Sequence, residues 1–369
     1  MLRALPGDPA KPTIVTFGDA QQRPEAGGFW GEAVVARMGW PGFGFVARRP
    51  NWFPAASVEA AAGALRGRLG PIAVGYGFSM GGYSALKYGR RLGLSHALAL
   101  SPQASIAPGD VPRDHRYRAF YSPALHRDMR VRPGDAPPVS WAVYDPLQGD
   151  DAANIALLAQ PGLRPVPIRG IYHGTIRLLA GQAELEAGLR ALLAEDMPAL
   201  RRLLRERRRA MPASRGVLGA ARLGQGRVAA GEALLEVARQ KGMSAAEEVD
   251  ALAQAVADWQ VHGGAGAAAA LRARLLQLRD LPAGRPYHVR GNALLALGAP
   301  EEALDSFRHA EAGGVGPMAL RGQRRAARAL WFRRAGALRW PLRPLLWAAA
   351  LIQVEAGRRL PAFRRKGRG

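Results

Sequence analysis

The pentapeptide Gly77-Phe78-Ser79-Met80-Gly81 restricts the fold of this chain more than any other sequence feature. It follows an apolar run at residues 72–76 and precedes a stretch with helical character at residues 84–92. In a Gly-x-Ser-x-Gly turn between a strand and a helix, the serine backbone is strained, and a Cβ at either glycine would collide with neighbouring elements. The pattern predicts that the Ser79 hydroxyl projects above a sheet and that the Met80 N–H lies at a helix N-terminus.

The first half of the chain alternates short apolar segments with helical stretches. Most of the apolar segments end at Gly, Pro, Ser or Asp, as strands that enter functional loops often do. This alternation predicts an α/β fold, a doubly wound and mostly parallel sheet with helices on both faces. The predicted strands cover residues 13–17, 43–47, 72–76, 97–101, 139–144 and 166–168, and the predicted helices include residues 57–69, 81–92, 152–158 and 180–194.

A serine hydroxyl becomes a strong nucleophile only when a base removes its proton, so a histidine is expected at the same edge of the sheet. His173 follows the last predicted strand and precedes a helix, which places it at that edge. His96 opens a strand and is expected at the opposite edge. His115 and His126 belong to a long segment rich in Arg and Pro, residues 102–138, and are expected on the surface.

Three aspartates are candidates for the carboxylate that orients such a histidine. Asp145 directly follows the strand predicted at residues 139–144, and this position favours it. Asp150 and Asp151 are alternatives, because acids in this kind of sheet often lie a few residues beyond the strand. Asp151 could instead cap the helix that is predicted to begin at residue 152.

The order of these residues along the chain, first Ser79, then the Asp145 region, then His173, resembles that of the α/β-hydrolase superfamily. The similarity covers about residues 13–194. Within the superfamily, Ser-Met-Gly-Gly-Tyr at residues 79–83 is similar to the turn of compact bacterial serine hydrolase-like proteins. The resemblance implies an α/β-hydrolase-like fold with a serine nucleophile and a histidine base.

Three further short segments bear on this resemblance. Trp52 follows the second predicted strand, and Ser101-Pro102-Gln103 follows the fourth, and both positions are similar to those of the same bacterial proteins. The resemblance also implies that the backbone N–H groups of Met80 and Asp19 hold the oxyanion. Where lipases have His-Gly-Gly-Gly, this chain has Phe17-Gly18-Asp19, so an acidic side chain would disfavour the oxyanion unless it points away.

The long segment at residues 102–138 is expected to cover the pocket, because long loops in compact domains are usually functional. Its arginines could bind an acidic group of the substrate, or they could form a solvated, charged loop. The first interpretation predicts an acylated or anionic substrate, such as a glycan ester. The arginines are Arg113, Arg116, Arg118, Arg127, Arg130 and Arg132.

A second run of arginines marks a change of composition near residue 200. Beyond it the strand signals disappear, and Ala, Leu, Arg, Glu and Gln dominate, which favours helices. We therefore predict a hydrolase-like domain at residues 1–198, a basic linker at residues 199–213, a helical domain at residues 214–320 and a basic tail at residues 321–369. The run comprises Arg201, Arg202, Arg205, Arg207, Arg208 and Arg209.

The helical domain is predicted to contain helix-turn-helix pairs, because Gly-containing turns recur at a spacing of about 35 residues. The last of the three pairs resembles a tetratricopeptide repeat, and this resemblance implies a protein partner for the domain. Generic antiparallel helices are the alternative. The predicted pairs cover residues 214–223 and 228–240, 245–261 and 265–278, and 287–296 and 300–312. At repeat-like positions, small residues let two helices approach and a phenylalanine fills the groove between them. These positions are Gly291, Leu294, Gly298, Ala303, Phe307 and Ala310.

The chain of 369 residues carries 52 basic and 29 acidic residues, a formal net charge of +23. Such an excess attracts polyanions, although a coding bias towards Arg, Ala and Gly would give the same composition. No nucleic-acid-binding motif accompanies the charge, which argues against a nucleic-acid partner. The tail interleaves arginines with Trp331, Trp340 and Trp347, a pattern typical of helices on anionic membranes or of a helix that closes a helical array.

Cysteine is absent, which excludes disulfides, thiolate metal sites and cysteine nucleophiles. No metal site and no cofactor are predicted. Residues 1–12 contain no apolar run, so the sequence predicts no secretory signal and a cytoplasmic protein, with contact to membranes through the tail as a further expectation. The sequence as a whole predicts a serine hydrolase acting on carboxylic esters or acyl groups. The alternative is a hydrolase-like scaffold with little turnover, whose helical domain binds protein.

Overall fold

A computed structural model describes residues 1–22, 27–263 and 265–335 of the chain. The chain divides into two compact units, Met1–Met211 and Pro212–Gly369. The first unit contains a sheet with helices on both of its faces, and the second is helical wherever it is described, apart from short turns. Among the described residues, no helix combines the length and the apolar character that a bilayer crossing requires.

The first unit is built on a seven-stranded sheet with the order β1-β3-β2-β4-β5-β6-β7. Strands β2 to β7 run parallel to one another, so their carboxyl ends share one edge of the sheet. Strand β1 pairs antiparallel with β3 at the outer edge. The strands are β1 (Leu2–Leu5), β2 (Thr13–Phe17), β3 (Gly42–Phe45), β4 (Ala73–Phe78), β5 (His96–Leu100), β6 (Val139–Tyr144) and β7 (Leu163–Pro167).

All six predicted strands are present, with ends that shift by a few residues. Strand β1 was not predicted, because Arg3 interrupts its apolar pattern and its side chains are only partly buried at the sheet edge. Along β2, Ile14 belongs to one apolar core while Val15 and Phe17 belong to the other. Both faces of the sheet are therefore covered, as a mostly parallel sheet requires.

The helices of the first unit lie on the two faces of the sheet. Helices α2, α3 and α4 contribute to one core, and helices α1, α5 and α6 contribute to the other. This arrangement agrees with the predicted doubly wound architecture. The helices are α1 (Glu32–Met38), α2 (Ala55–Ala62), α3 (Met80–Tyr88), α4 (Gly149–Leu157), α5 (Gln182–Leu193) and α6 (Met197–Ala210).

Most of the segment predicted as a basic linker, residues 199–213, belongs to α6. Leu200 and Leu204 lie one turn apart and are fully buried in the core of the first unit. The Asp196 side chain caps the helix by accepting a hydrogen bond from the Ala199 N–H at 2.9 Å. The arginine run thus forms the outer side of an amphipathic helix, and the two units meet in sequence at residue 211.

The second unit contains the predicted helix pairs. Helix α7 packs against α8 and α9, α9 packs against α11, and α12 packs between α11 and α13. The helices are α7 (Pro212–Gly224), α8 (Val228–Gln240), α9 (Ala245–His262), α10 (Ala265–Gln277), α11 (Arg285–Ala296), α12 (Pro300–Ala312) and α13 (Gly316–Ala335). Helix α13 includes the first part of the predicted basic tail. The rest of that tail, residues 336–369, lies outside the described residues, as do Trp340 and Trp347.

Phe307 of α12 holds neighbouring helices of the second unit together. Its ring is fully buried. A Cβ added at Gly291 of α11 would lie 2.8 Å from the ring, and a Cβ at Gly322 of α13 would lie 2.5 Å from it. The two glycines therefore allow close approach of both helices to one aromatic side chain. This is the role that the repeat-like spacing predicts for Gly291 and Phe307.

We predict that Phe307→Ala lowers the free energy of unfolding by about 3–5 kcal/mol, because it leaves a cavity between three helices. Urea unfolding of the full chain, followed by circular dichroism, measures this change. Phe332→Ala serves as the control, since Phe332 is 54 % exposed on α13. Equal effects of the two substitutions would contradict the central position of Phe307.

Candidate active site

Ser79 lies on the sharp turn between β4 and α3, with φ 53° and ψ −117°. The left-handed φ is unusual for a non-glycine residue, so the turn is strained. Its glycines make this turn possible, as predicted. A Cβ at Gly77 would lie 2.3 Å from the Gly81 carbonyl carbon, and a Cβ at Gly81 would lie 2.2 Å from the Phe17 oxygen of β2. The Ser79 N–H donates to the Leu100 carbonyl of β5 at 2.8 Å.

His173 follows β7 and reaches the serine across the carboxyl edge of the sheet. Its Nε2 lies 3.0 Å from Ser79 Oγ. Its Nδ1 lies 2.8 Å and 3.0 Å from the two carboxylate oxygens of Asp151. A carboxylate only accepts hydrogen bonds, so Nδ1 carries the proton and Nε2 is free to accept the proton of the serine. A continuous series of hydrogen-bond contacts therefore joins Ser79, His173 and Asp151.

The carboxylate in contact with His173 is Asp151, in the first turn of α4, and not the favoured candidate Asp145. Asp145 is fully buried. Its Oδ2 accepts hydrogen bonds from the N–H groups of residues 170–172 at 2.6–2.8 Å, and its Oδ1 accepts one from Leu147. Burial raises the pKa of Asp145, and these donors oppose the rise. Asp145 therefore anchors the loop that carries His173.

Asp151 is itself part of a charged cluster that the sequence did not predict. Arg116 of the long segment donates to Asp151 Oδ1 at 2.9 Å and to Asp114 at 2.7 Å, and it lies 3.3 Å from Asp150. Burial raises the pKa of Asp150, while the charge of Arg116 opposes the rise. Asp150, the second alternative acid, thus pairs with Arg116 at the margin of the site.

Gln103 lies beside the serine in a fixed orientation. It is fully buried, and its Oε1 accepts a hydrogen bond from Trp52 Nε1 at 3.0 Å. Because an indole nitrogen only donates, the amide nitrogen must face the other way. This nitrogen lies 3.2 Å from the Ser101 carbonyl and 3.3 Å from Ser79 Oγ. Trp52 and Gln103, singled out in the sequence by resemblance, therefore form one hydrogen-bonded pair that reaches Ser79.

Tyr117 approaches the histidine from the long segment. Its hydroxyl lies 3.2 Å from His173 Nε2, and its ring packs 4.8 Å from the ring of Trp52. Burial raises the pKa of Tyr117, so the hydroxyl keeps its proton at neutral pH. Phe120, in the only helical turn of this segment, packs 5.2 Å from the same indole. The segment thus covers the site, as predicted from its length.

The two predicted oxyanion donors occupy different surroundings. Met80 is the first residue of α3, where backbone N–H groups have no acceptor within the helix. The Asp19 carboxylate accepts hydrogen bonds from the N–H groups of Gln21 and Gln22 at 2.8 Å and 2.9 Å. It is therefore bound to its own loop. The oxyanion role of both N–H groups stays a prediction.

The remaining histidines of the first unit lie away from this edge or serve another purpose. His96 begins β5, at the opposite edge of the sheet, and His115 is exposed. The expectation of a surface position was wrong for His126, which is buried. Its Nδ1 accepts from the Ser122 N–H at 2.8 Å, and its Nε2 donates to the Asn51 carbonyl at 2.8 Å. It fastens the long segment to the loop after β3.

We predict that Asp145→Asn lowers the free energy of unfolding by about 2 kcal/mol, because an amide group replaces an acceptor that faces several N–H donors. Urea unfolding of the full chain measures the loss. Asp8→Asn is the control, since the exposed Asp8 accepts one backbone hydrogen bond within its own turn. An unchanged stability of Asp145→Asn would contradict the anchoring role.

No protein-family model and no curated protein matches the chain. A seven-stranded, mostly parallel sheet with helices on both faces, followed by a largely helical region, is compatible with an α/β-hydrolase-like fold.

Proposed function

We propose that the first unit is a serine hydrolase that cleaves carboxylic esters. The observation that supports this most directly is the chain of contacts from Ser79 Oγ to His173 Nε2 at 3.0 Å and from His173 Nδ1 to Asp151 at 2.8 Å. The strained backbone of Ser79 adds support, because strain of this kind persists where function requires a particular direction of the side chain.

The proposed reaction begins with attack of Ser79 Oγ on the carbonyl carbon of an ester. His173 Nε2 takes the serine proton, and Asp151 stabilises the resulting imidazolium. The N–H groups of Met80 and Asp19 would stabilise the oxyanion. The imidazolium then gives its proton to the departing alcohol. Water hydrolyses the acyl-enzyme in the second half of the reaction, with His173 again acting as the base.

The pairing of arginines in the long segment and the aromatic rings beside His173 favour an uncharged acyl group. Arg116 is paired with three carboxylates, and Arg132 is paired with Asp128, so these two arginines are already engaged. The aromatic rings of Phe78 and Tyr117 lie against His173. We therefore propose that a neutral acyl group binds at Ser79. An anionic part of the substrate, such as a glycan, would bind the other arginines of the long segment.

Labelling with a fluorophosphonate probe tests the proposal, because such probes phosphonylate an activated serine. We expect the wild-type chain to be labelled and Ser79→Ala to remain unlabelled. Ser57→Ala is a matched control, because Ser57 is an exposed serine of α2. If the wild type takes no label, or if Ser79→Ala is labelled as well, the alternative of a hydrolase-like scaffold is favoured.

We further predict that Asp151→Asn slows turnover of a 4-nitrophenyl ester by about 10³–10⁴-fold, because the amide cannot stabilise the imidazolium and favours the wrong tautomer. Asp150→Asn is the matched comparison, since Asp150 contacts Arg116 in the same turn of α4. It is expected to retain turnover within about tenfold. The reverse order of the two effects would exclude Asp151 as the acid of the triad.

A further inference from the structure

The proton-accepting nitrogen of His173 faces two hydroxyl groups. Ser79 Oγ lies 3.0 Å from Nε2, and the Tyr117 hydroxyl lies 3.2 Å from it. With its proton on Nδ1, the ring has a single lone pair at Nε2 and can accept one strong hydrogen bond there. The proposed triad uses the serine and leaves the tyrosine hydroxyl without a role.

The position of Tyr117 is set by contacts on both sides. Its ring packs 4.8 Å from Trp52, which is itself fully buried. The preceding residue, Arg116, donates to Asp151 at 2.9 Å, and its guanidinium lies 5.1 Å from the Tyr117 ring. Two adjacent residues of the long segment therefore contact the two ends of the His173–Asp151 pair. The hydroxyl is held beside Nε2 by the same network that holds the carboxylate.

The second half of the proposed reaction needs an oxygen at this place. Once Ser79 Oγ is acylated, an attacking water must lie within hydrogen-bond reach of His173 Nε2, on the side that the serine does not occupy. A hydroxyl about one hydrogen-bond length from Nε2 is within reach of a water placed there.

We propose that Tyr117 is a further catalytic residue, whose hydroxyl binds and orients the water that hydrolyses the acyl-enzyme. In this step the water oxygen forms a bond to the acyl carbon, and His173 Nε2 takes one of the water protons. The bond between the acyl carbon and Ser79 Oγ then breaks, and Oγ recovers the proton from Nε2. The phenol is neither oxidised nor acylated. The inference rests on the proposed hydrolase function and adds to it the residue that governs deacylation.

Tyr117→Phe separates the two halves of the reaction. Phosphonylation of Ser79 by a fluorophosphonate uses the serine and the base but no attacking water, so its rate is expected to stay within about threefold of the wild type. Decay of the acetyl-enzyme formed with 4-nitrophenyl acetate, followed by intact-protein mass spectrometry, is expected to slow about tenfold, the loss typical of one uncharged hydrogen bond. Tyr121→Phe is the matched control, because Tyr121 belongs to the same segment and stacks on His126.

The possible results distinguish this inference from the proposed function. A wild-type chain that accepts neither the probe nor the acetyl group refutes the hydrolase function itself. Equal slowing of phosphonylation and deacetylation in Tyr117→Phe shows a merely structural role and overturns the inference. Unchanged or faster deacetylation also overturns it, and faster deacetylation would mean that the tyrosine hydroxyl competes for Nε2. Selective slowing of deacetylation supports it.

Discussion

The close approach of α3 to the sheet is the constraint on which the site depends. Gly77 and Gly81 let the backbone of the turn pass so near to the helix and to β2 that a Cβ at either position would overlap neighbouring backbone atoms. The same approach holds Ser79 in a left-handed conformation. The backbone of an ordinary helix or strand would not direct a serine hydroxyl above the sheet edge. The sharp turn does so, and it therefore places the Ser79 hydroxyl next to the histidine.

Two buried aspartates hold His173 in place, whereas the sequence predicted that one aspartate would do so. Asp145, at the end of β6, binds the backbone of the loop before His173. Asp151, in the first turn of α4, binds the imidazole itself. The first sets where the histidine lies, and the second sets its tautomer and the direction of its ring. This division explains why the residue nearest to the strand end is buried and bonded but does not contact the ring.

The long segment between β5 and β6 brings a second group of side chains to the same edge. Gln103 contacts the serine, Tyr117 contacts the histidine, and Arg116 contacts Asp151. Each of the three residues that we propose as the triad is therefore touched by a different side chain of one covering segment. A movement of this segment would therefore change the contacts of all three residues at the same time.

Local signals in the sequence determined the six parallel strands, the glycine-flanked turn and the positions of Ser79 and His173, because periodicity and glycine sterics act over a few residues. They also predicted the helix pairs and the packing of Gly291 against Phe307. The tertiary structure decided which aspartate meets His173, that His126 is buried, and that residues 197–210 pack as a helix. It also decided that Arg116, Gln103 and Tyr117 converge. These outcomes depend on how far loops of different length travel above the sheet, and no local pattern encodes that distance.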